Sequence, residues 1–163
     1  MYEGKNLITV QEIIEAHDDH WTEIDDMEDK LTNIQDEITE LKDEIDSGKR
    51  EETLTFEDLE ELKDQLDELE DQESDKQVEI KDYKKEIEWD NLETLYQAVR
   101  DKDSDTLLIS EDHFNQYMEE VLNEIYDIPQ EIQYYIDYDR WADDCRADYT
   151  SFIYGDTTYY ARI

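Results

Sequence analysis

Apolar residues recur along the first half of the chain at alternating steps of three and four. Val10, Ile13, His17, His20, Ile24, Met27, Leu31, Ile34, Ile38, Leu41 and Ile45 trace one such line. That spacing is the seam of a coiled coil, because a repeat of about 3.5 residues keeps one stripe turned toward a partner helix. Its start is marked: Thr9 stands as N-cap, Glu12 completes a capping box, and Ile8 is placed to staple against Ile13. The line stops at Asp46-Ser47-Gly48-Lys49-Arg50, which reads as a helix stop and loop. A second start follows, with Thr55 as cap, Asp58 in the box position and Leu54 against Leu59. The second line runs through Leu59, Leu62, Leu66, Leu69, Ile80, Tyr83 and Ile87, drifts near Trp89, and continues through Leu92, Leu95, Tyr96 and Val99. Glu73 and Lys76 occupy the seam between Leu69 and Ile80, so packing is expected to be weakest there. Two long helices joined by a short loop pack antiparallel. Residues 9–100 therefore read as a helical hairpin, giving a first domain over 1–100. A parallel pairing of two chains is the alternative that the short loop disfavours.

After Arg100 the pattern changes. Asp101-Lys102-Asp103-Ser104-Asp105 reads as a polar linker. Ser110 is placed to cap a short helix running to about Tyr126, with Ile109 against Phe114. Pro129 opens another helical turn or a tight bend, and Asp137 is placed to cap a third short helix, with Ile136 against Trp141. Residues 150–154 and 157–161 alternate as strands around Gly155-Asp156, a two-residue connection suited to a hairpin. Residues 101–163 thus read as a small tyrosine-rich α+β domain. The expected fold class is mostly α: a long antiparallel coiled-coil hairpin followed by that α+β domain.

Composition sharpens this reading. Hydrophobic residues make up 37% of the 163, below the usual share, which fits thin apolar seams better than one large core. Acidic disorder is the competing reading, but 12 Tyr, three Trp and three Phe, with only three Gly and one Pro, accompany strong periodicity. The lone Cys145 allows no internal disulfide and fits a reducing cytosol. The start MYEGKNLITV has no basic-then-apolar signal pattern, and no stretch is long enough to span a membrane. A cytoplasmic protein is expected.

Charge changes the picture most. There are 51 Asp and Glu against 15 Lys and Arg, a net of −36, interleaved with the apolar lines at helical spacing. Such a surface repels nucleic acid and anionic membranes, so neither is an expected partner, but it suits a protein groove built to hold DNA. Residues 11–100 hold 34 acids and ten bases. A helix of about 40 residues spans about 60 Å, over which duplex DNA carries about 35 charges. The gross acid count approaches that figure. Coiled-coil surfaces ordinarily mix signs, since Glu–Lys pairs stabilise helices. Here Asp18-Asp19, Asp25-Asp26, Glu28-Asp29 and Glu51-Glu52 have few bases nearby.

Other chemistry is weak. Asp101, Asp103, Asp105 and Glu111 resemble a calcium loop, but Thr106 stands where the turn glycine belongs and the glutamate comes one residue early. A linker is favoured. His17 and His20 lack a third zinc ligand in sequence and read as seam histidines packing neutral, so that protonation in mild acid would loosen this end of the hairpin. No phosphate loop, nucleophile elbow, HExxH or CxxC is present, and Cys145 has acids before it and only Arg146 after it, a poor setting for a thiolate. The protein is not expected to be an enzyme, and no cofactor or metal is expected. Tyr134, Tyr135 and Tyr138 are candidates for a dimer contact.

The run IPQEIQYYIDYDRWADD at residues 128–144, followed by Asp148-Tyr149, resembles the C-terminal portion of the ArdA antirestriction proteins. Those carry a similar IP-x-x-(I/L)-x-x-Y-I-D-Y stretch, an A-x-D segment, a D-Y, and a closing strand near an aromatic and Arg. Tyr159, Tyr160 and Arg162 stand where that finish falls, and Glu111–Tyr126 suits the family's acidic helix. The resemblance covers about residues 111–162. Residues 1–100 do not match the family, and Trp141 and Cys145 depart from its common residues. The resemblance implies a dimeric DNA mimic without catalysis, carried by phages and mobile elements, that occupies the DNA groove of type I restriction-modification enzymes. Charge and resemblance converge on an inhibitor of a bacterial defence enzyme, acting in the bacterial cytoplasm, with a homodimer expected. The candidate partner-binding acids are Asp18, Asp19, Asp25, Asp26, Glu28, Asp29, Asp36, Glu40 and Asp43; Glu60, Asp64, Asp67, Glu68 and Asp71; and Asp137, Asp139, Asp143, Asp144 and Asp148. An acidic coiled-coil adaptor, binding through its seam or its tyrosine-rich end, is the alternative.

Overall fold

The computed structural model describes residues 5–51 and 53–163. Glu52, the second member of the Glu51-Glu52 pair, lies outside them. The order of elements is β1 (Leu7–Thr9), α1 (Val10–Glu51), α2 (Phe56–Glu86), α3 (Trp89–Val99), β2 (Leu107–Ser110), α4 (Glu111–Tyr126), α5 (Gln130–Gln133), α6 (Tyr138–Arg146), β3 (Thr150–Tyr154) and β4 (Thr157–Ala161). The described residues are mostly helical, with one four-stranded sheet. They form two compact units: Asp19–Ile87, and the chain up to Asp18 together with Glu88–Ile163.

The Asp19–Ile87 unit is the helical hairpin. Bonds tie α1 to α2 in antiparallel order: His20 Nδ1 lies 2.9 Å from the Tyr83 hydroxyl, Lys84 pairs with Glu28, Gln35 donates to Glu73, and Lys42 pairs with Glu70. The hairpin is therefore made within one chain. The seam reading holds residue by residue. Ile24, Met27, Ile38, Ile45 and Ile80 are buried, while Leu31, Ile34, Leu41, Leu59, Leu62, Leu66 and Leu69 are half-buried. Glu73 and Lys76 are half-buried too, and Glu73 is satisfied by amides from Gln35 and Gln77, so the polar layer is bonded rather than void. The capping box at Thr55 and Asp58 closes in both directions.

The expected helix stop at residues 46–50 is a correction. α1 runs on to Glu51, because Gly48 takes the next seam position and is buried. A Cβ added there would sit 2.1 Å from Leu54 Cδ1 and 2.4 Å from its Cγ. Gly48 thus lets the returning chain close on the helix, and its carbonyl accepts the Thr53 amide at 3.2 Å. Ala in place of Gly ordinarily stabilises a helix interior by about 1 kcal/mol. We expect Gly48→Ala to give no such gain in the native chain and to give it in a Leu54→Ala background, read from the denaturation midpoints of the four proteins in the cycle.

The expected second helix through Val99 is also corrected. It breaks after α2, where Glu88 takes a left-handed backbone (φ 52°), and restarts as α3. Amides of Asn91 and Leu92 bond the Glu88 carbonyl, and the Asn91 side chain bonds its carboxylate. That re-aims Leu92, Leu95 and Val99, which are buried against Ile8, Val10, Ile13, Leu108, Tyr159 and Ala161. The compact units therefore do not divide at residue 100. The first turns of α1 and all of α3 fold with the C-terminal residues.

The second unit is built on the antiparallel sheet β1-β2-β4-β3. Strand alternation sends Leu108, Tyr159 and Ala161 to the face covered by α3 and the start of α1, and Ile109 and Tyr160 to the face holding Phe114, Met118, Trp141 and Ala142 of α4 and α6. The Gly155-Asp156 hairpin forms as expected, with Gly155 at φ 61°. The linker at residues 101–106 secures the start of α1, whose first amides, from Val10 and Gln11, donate to the carbonyls of Thr106 and Ser104. α4 begins after Ser110, but the Ser110 hydroxyl makes no cap bond and is buried without a partner among the described residues. α5 follows Pro129, and Asp137 caps α6 by accepting the Arg140 amide.

Candidate acidic interaction surface

The heptad places each hairpin side chain. With Ile24, Leu31, Ile38 and Ile45 at a, and Leu59, Leu66 and Ile80 at a on the second helix, positions b, c and f point away from the seam. Within the hairpin these outer positions hold eight acids on α1 and nine on α2, against the three bases Arg50, Lys81 and Lys85. All seventeen acids are exposed. The candidate residues Asp19, Asp25, Asp26, Asp29, Asp36, Glu40, Asp43, Glu60, Asp64, Asp67, Glu68 and Asp71 all lie on this face. Glu28 does not. It sits at an e position beside the seam and pairs with Lys84 at 2.7 Å, as Lys42 pairs with Glu70 at 2.7 Å. Bases are thus used where the helices meet, and the outer faces are left to acid. Residues 19–87 carry 28 acids and nine bases, a net of −19. Along about 50 Å of helix, duplex DNA carries about 29 charges, so the unit reaches roughly two-thirds of that density.

In the other unit, Asp18, Asp137, Asp139, Asp143, Asp144 and Asp148 are exposed. Several are engaged locally: Asp137 caps α6, Asp139 accepts from Asn115 at 3.0 Å, and Asp143 lies 3.5 Å from Arg146. The Asp137 cap is the one the sequence indicated and the Asp143–Arg146 pair is local to α6, whereas the Asn115–Asp139 bond joins α4 to α6 and had no signal in the sequence. Tyr134 and Tyr135 are 88% and 87% exposed, but Tyr138 is half-buried and its hydroxyl donates to Asn123. That bond ties Tyr138 to its own fold. The Cys145 thiol is pushed up by burial and by Asp148 and Asp144, which keeps it protonated.

The two histidines do not share a site. His17 is buried, stacked on Tyr96 with ring centroids 3.7 Å apart, and its Nε2 lies 2.7 Å from Glu93. Its Nδ1 lies 3.4 Å from Asp18. His20 turns instead to Tyr83. In the stretch that resembles a calcium loop, β2 lies between Asp105 and Glu111, and the Asp103 carboxylate accepts the Asp105 amide. Among the described residues no group of three or more His, Cys, Asp or Glu side chains is placed to hold a metal, and no helix is long and apolar enough to cross a membrane.

Three carboxylates that serve the fold are held below their ordinary values: Glu12 by Lys5 and the Thr9 amide, Asp58 by the Thr55 hydroxyl and amide, and Glu93 by Gln97 and His17. A depressed folded value means the stabilisation is full above the unfolded value, 4.5 for Glu and 3.8 for Asp, and disappears as pH falls through the folded one. We expect Glu12→Gln and Asp58→Asn to melt below the native protein at neutral pH, and the melting temperatures to converge once the medium is acid enough to protonate both carboxylates. A gap that stays constant into acid would show that the charge is not what the caps use.

No protein-family model matches the chain, and neither a curated protein nor a solved structure does.

Proposed function

We propose that the protein is a DNA mimic, an inhibitor that occupies the DNA-binding groove of a bacterial defence enzyme in the cytoplasm and catalyses nothing. The observation that carries this reading is the sorting of charge on the hairpin: bases beside the seam, and seventeen exposed acids against three bases on the outer faces. Self-repulsion of that order costs stability, and solubility needs far less charge. Flexible carboxylates set one helical turn apart, about 5.4 Å, suit Lys and Arg arranged to meet phosphates. The seam is covered by its own second helix, which favours the acids over the seam as the partner surface and weighs against a coiled-coil adaptor. The resemblance of residues 111–162 to ArdA points to type I restriction-modification enzymes as the target class.

The test is a tagged pull-down from bacterial lysate, eluted with rising salt and then with competitor duplex. A DNA-binding defence complex released by both is expected. A partner indifferent to salt and to duplex would overturn mimicry and leave the adaptor reading.

A further inference from the structure

In a protein with 40% charged residues, one stretch of the chain is nearly free of charge. From Tyr149 to Ala161 the only charged side chain is Asp156. This stretch holds β3, which among the described residues pairs with β4 alone and forms an edge of the sheet. Edge strands are ordinarily guarded by charge, proline or a bulge, since their free backbone groups invite another strand. β3 has none of these guards.

The register shows which groups are free. Tyr154 and Thr157 flank the two-residue loop, and in such a hairpin the flanking residues form a hydrogen-bonded pair. Alternation then commits the backbone of Tyr154, Phe152 and Thr150 to β4 and turns that of Ser151 and Ile153 to the open edge. Ser151 and Ile153 are exposed, and among the described residues no backbone hydrogen bond outside the β3–β4 ladder reaches either one.

We propose that the β3 edge is the self-association surface of this protein, joining two copies through antiparallel β3–β3 pairing about a twofold axis at Phe152. Ser151 of one copy then lies opposite Ile153 of the second copy, and each such pair exchanges both backbone bonds. The occupant is a second copy because charge allows it here and opposes it elsewhere. The exposed Tyr134 and Tyr135, the other candidates for this contact, stand in residues 111–139, which carry nine acids and no Lys or Arg. A second copy there would set carboxylate against carboxylate. At β3 the same register brings together two carboxylate pairs, Asp148 of each copy opposite Asp156 of the other, both at the rim of the contact. This contact is independent of what the hairpin acids bind.

The salt response separates the two. A complex between the acids and a basic target weakens with salt, whereas pairing of two polyanions strengthens as their repulsion is screened. Sedimentation equilibrium at about 0.05 M and about 1 M sodium chloride, where the screening length falls from about 14 to about 3 Å, reads this directly. The native protein is expected to move from monomer toward dimer as salt rises. Ser151→Pro is expected to stay monomeric at both, since proline removes the free N–H without touching the β4 ladder. Ile153→Glu, which adds like charge to the same edge, is expected to do the same and decides the question if the proline variant does not fold. Tyr134→Ala with Tyr135→Ala is expected to dimerise like the native chain. A native protein that remains monomeric in high salt, a dimer unaffected by both edge variants, or a dimer lost in the tyrosine variant would each overturn the proposal.

Discussion

Converting ten outer-face acids of the hairpin to amides is expected to weaken target binding by about three orders of magnitude, whereas any one of the ten changes is nearly silent. The ten are Asp25, Asp26, Asp29, Asp36, Glu40, Glu60, Asp64, Asp67, Glu68 and Asp71, all exposed. An exposed ion pair contributes about 0.5 kcal/mol, so one loss changes affinity about twofold, while ten sum to about 5 kcal/mol, several thousandfold. Titration calorimetry at fixed ionic strength against the target recovered from lysate measures this. The same variant should melt at a higher temperature than the native protein, because the carboxylates it removes repel one another. Loss of binding with a gain of stability separates a binding surface from a folding requirement. A single Asp→Asn change that abolished binding would contradict a distributed mimic and point to a specific contact.

The largest effect on stability is expected from Leu95→Ala. Leu95 is 1% exposed, in the core that α3 makes with the start of α1 and the sheet. Truncating a buried leucine costs about 2–5 kcal/mol through lost transfer energy and the cavity left behind. That is a large share of the stability of a small unit. Leu66→Ala, at a half-buried seam position of α2, should cost less because water already reaches part of that side chain. Guanidinium denaturation of both variants gives the comparison. Equal losses would mean that Leu95 is not in a closed core and that α3 belongs with the hairpin after all.

That contrast bears on what could be read from the chain. The seam, the two capping boxes and the β3–β4 hairpin were legible because each is a local pattern with a local cause: heptad spacing, a hydroxyl and carboxylate three residues apart, a glycine that tolerates positive φ. What escaped depends on distant partners. Gly48 looked like a stop because glycine usually ends a helix, and only Leu54 closing on it shows that it is a small seam residue. β2 was missed because Leu107-Leu108-Ile109 is a continuous apolar run, buried on both faces of the sheet, and such a run lacks the alternation that identifies a half-buried strand. β1 is three residues long and looked like the lead-in to a cap. The break at Glu88 had no glycine or proline to announce it, so the drift of the pattern near Trp89 was the only sign that α3 turns to a different core. The acidic surface itself was legible, since exposure follows from heptad position. The bond of Asp139 to Asn115 and that of Tyr138 to Asn123, which join residues distant in sequence, were not.

The most direct test of mimicry is competition at the groove. A type I restriction-modification enzyme is held at fixed concentration with labelled duplex carrying its site, and the protein is titrated in at several duplex concentrations. If the protein occupies the DNA site, its apparent inhibition constant rises in proportion to duplex, and duplex and protein are never bound together. An inhibition constant independent of duplex, or a ternary complex of enzyme, duplex and protein, would contradict the account.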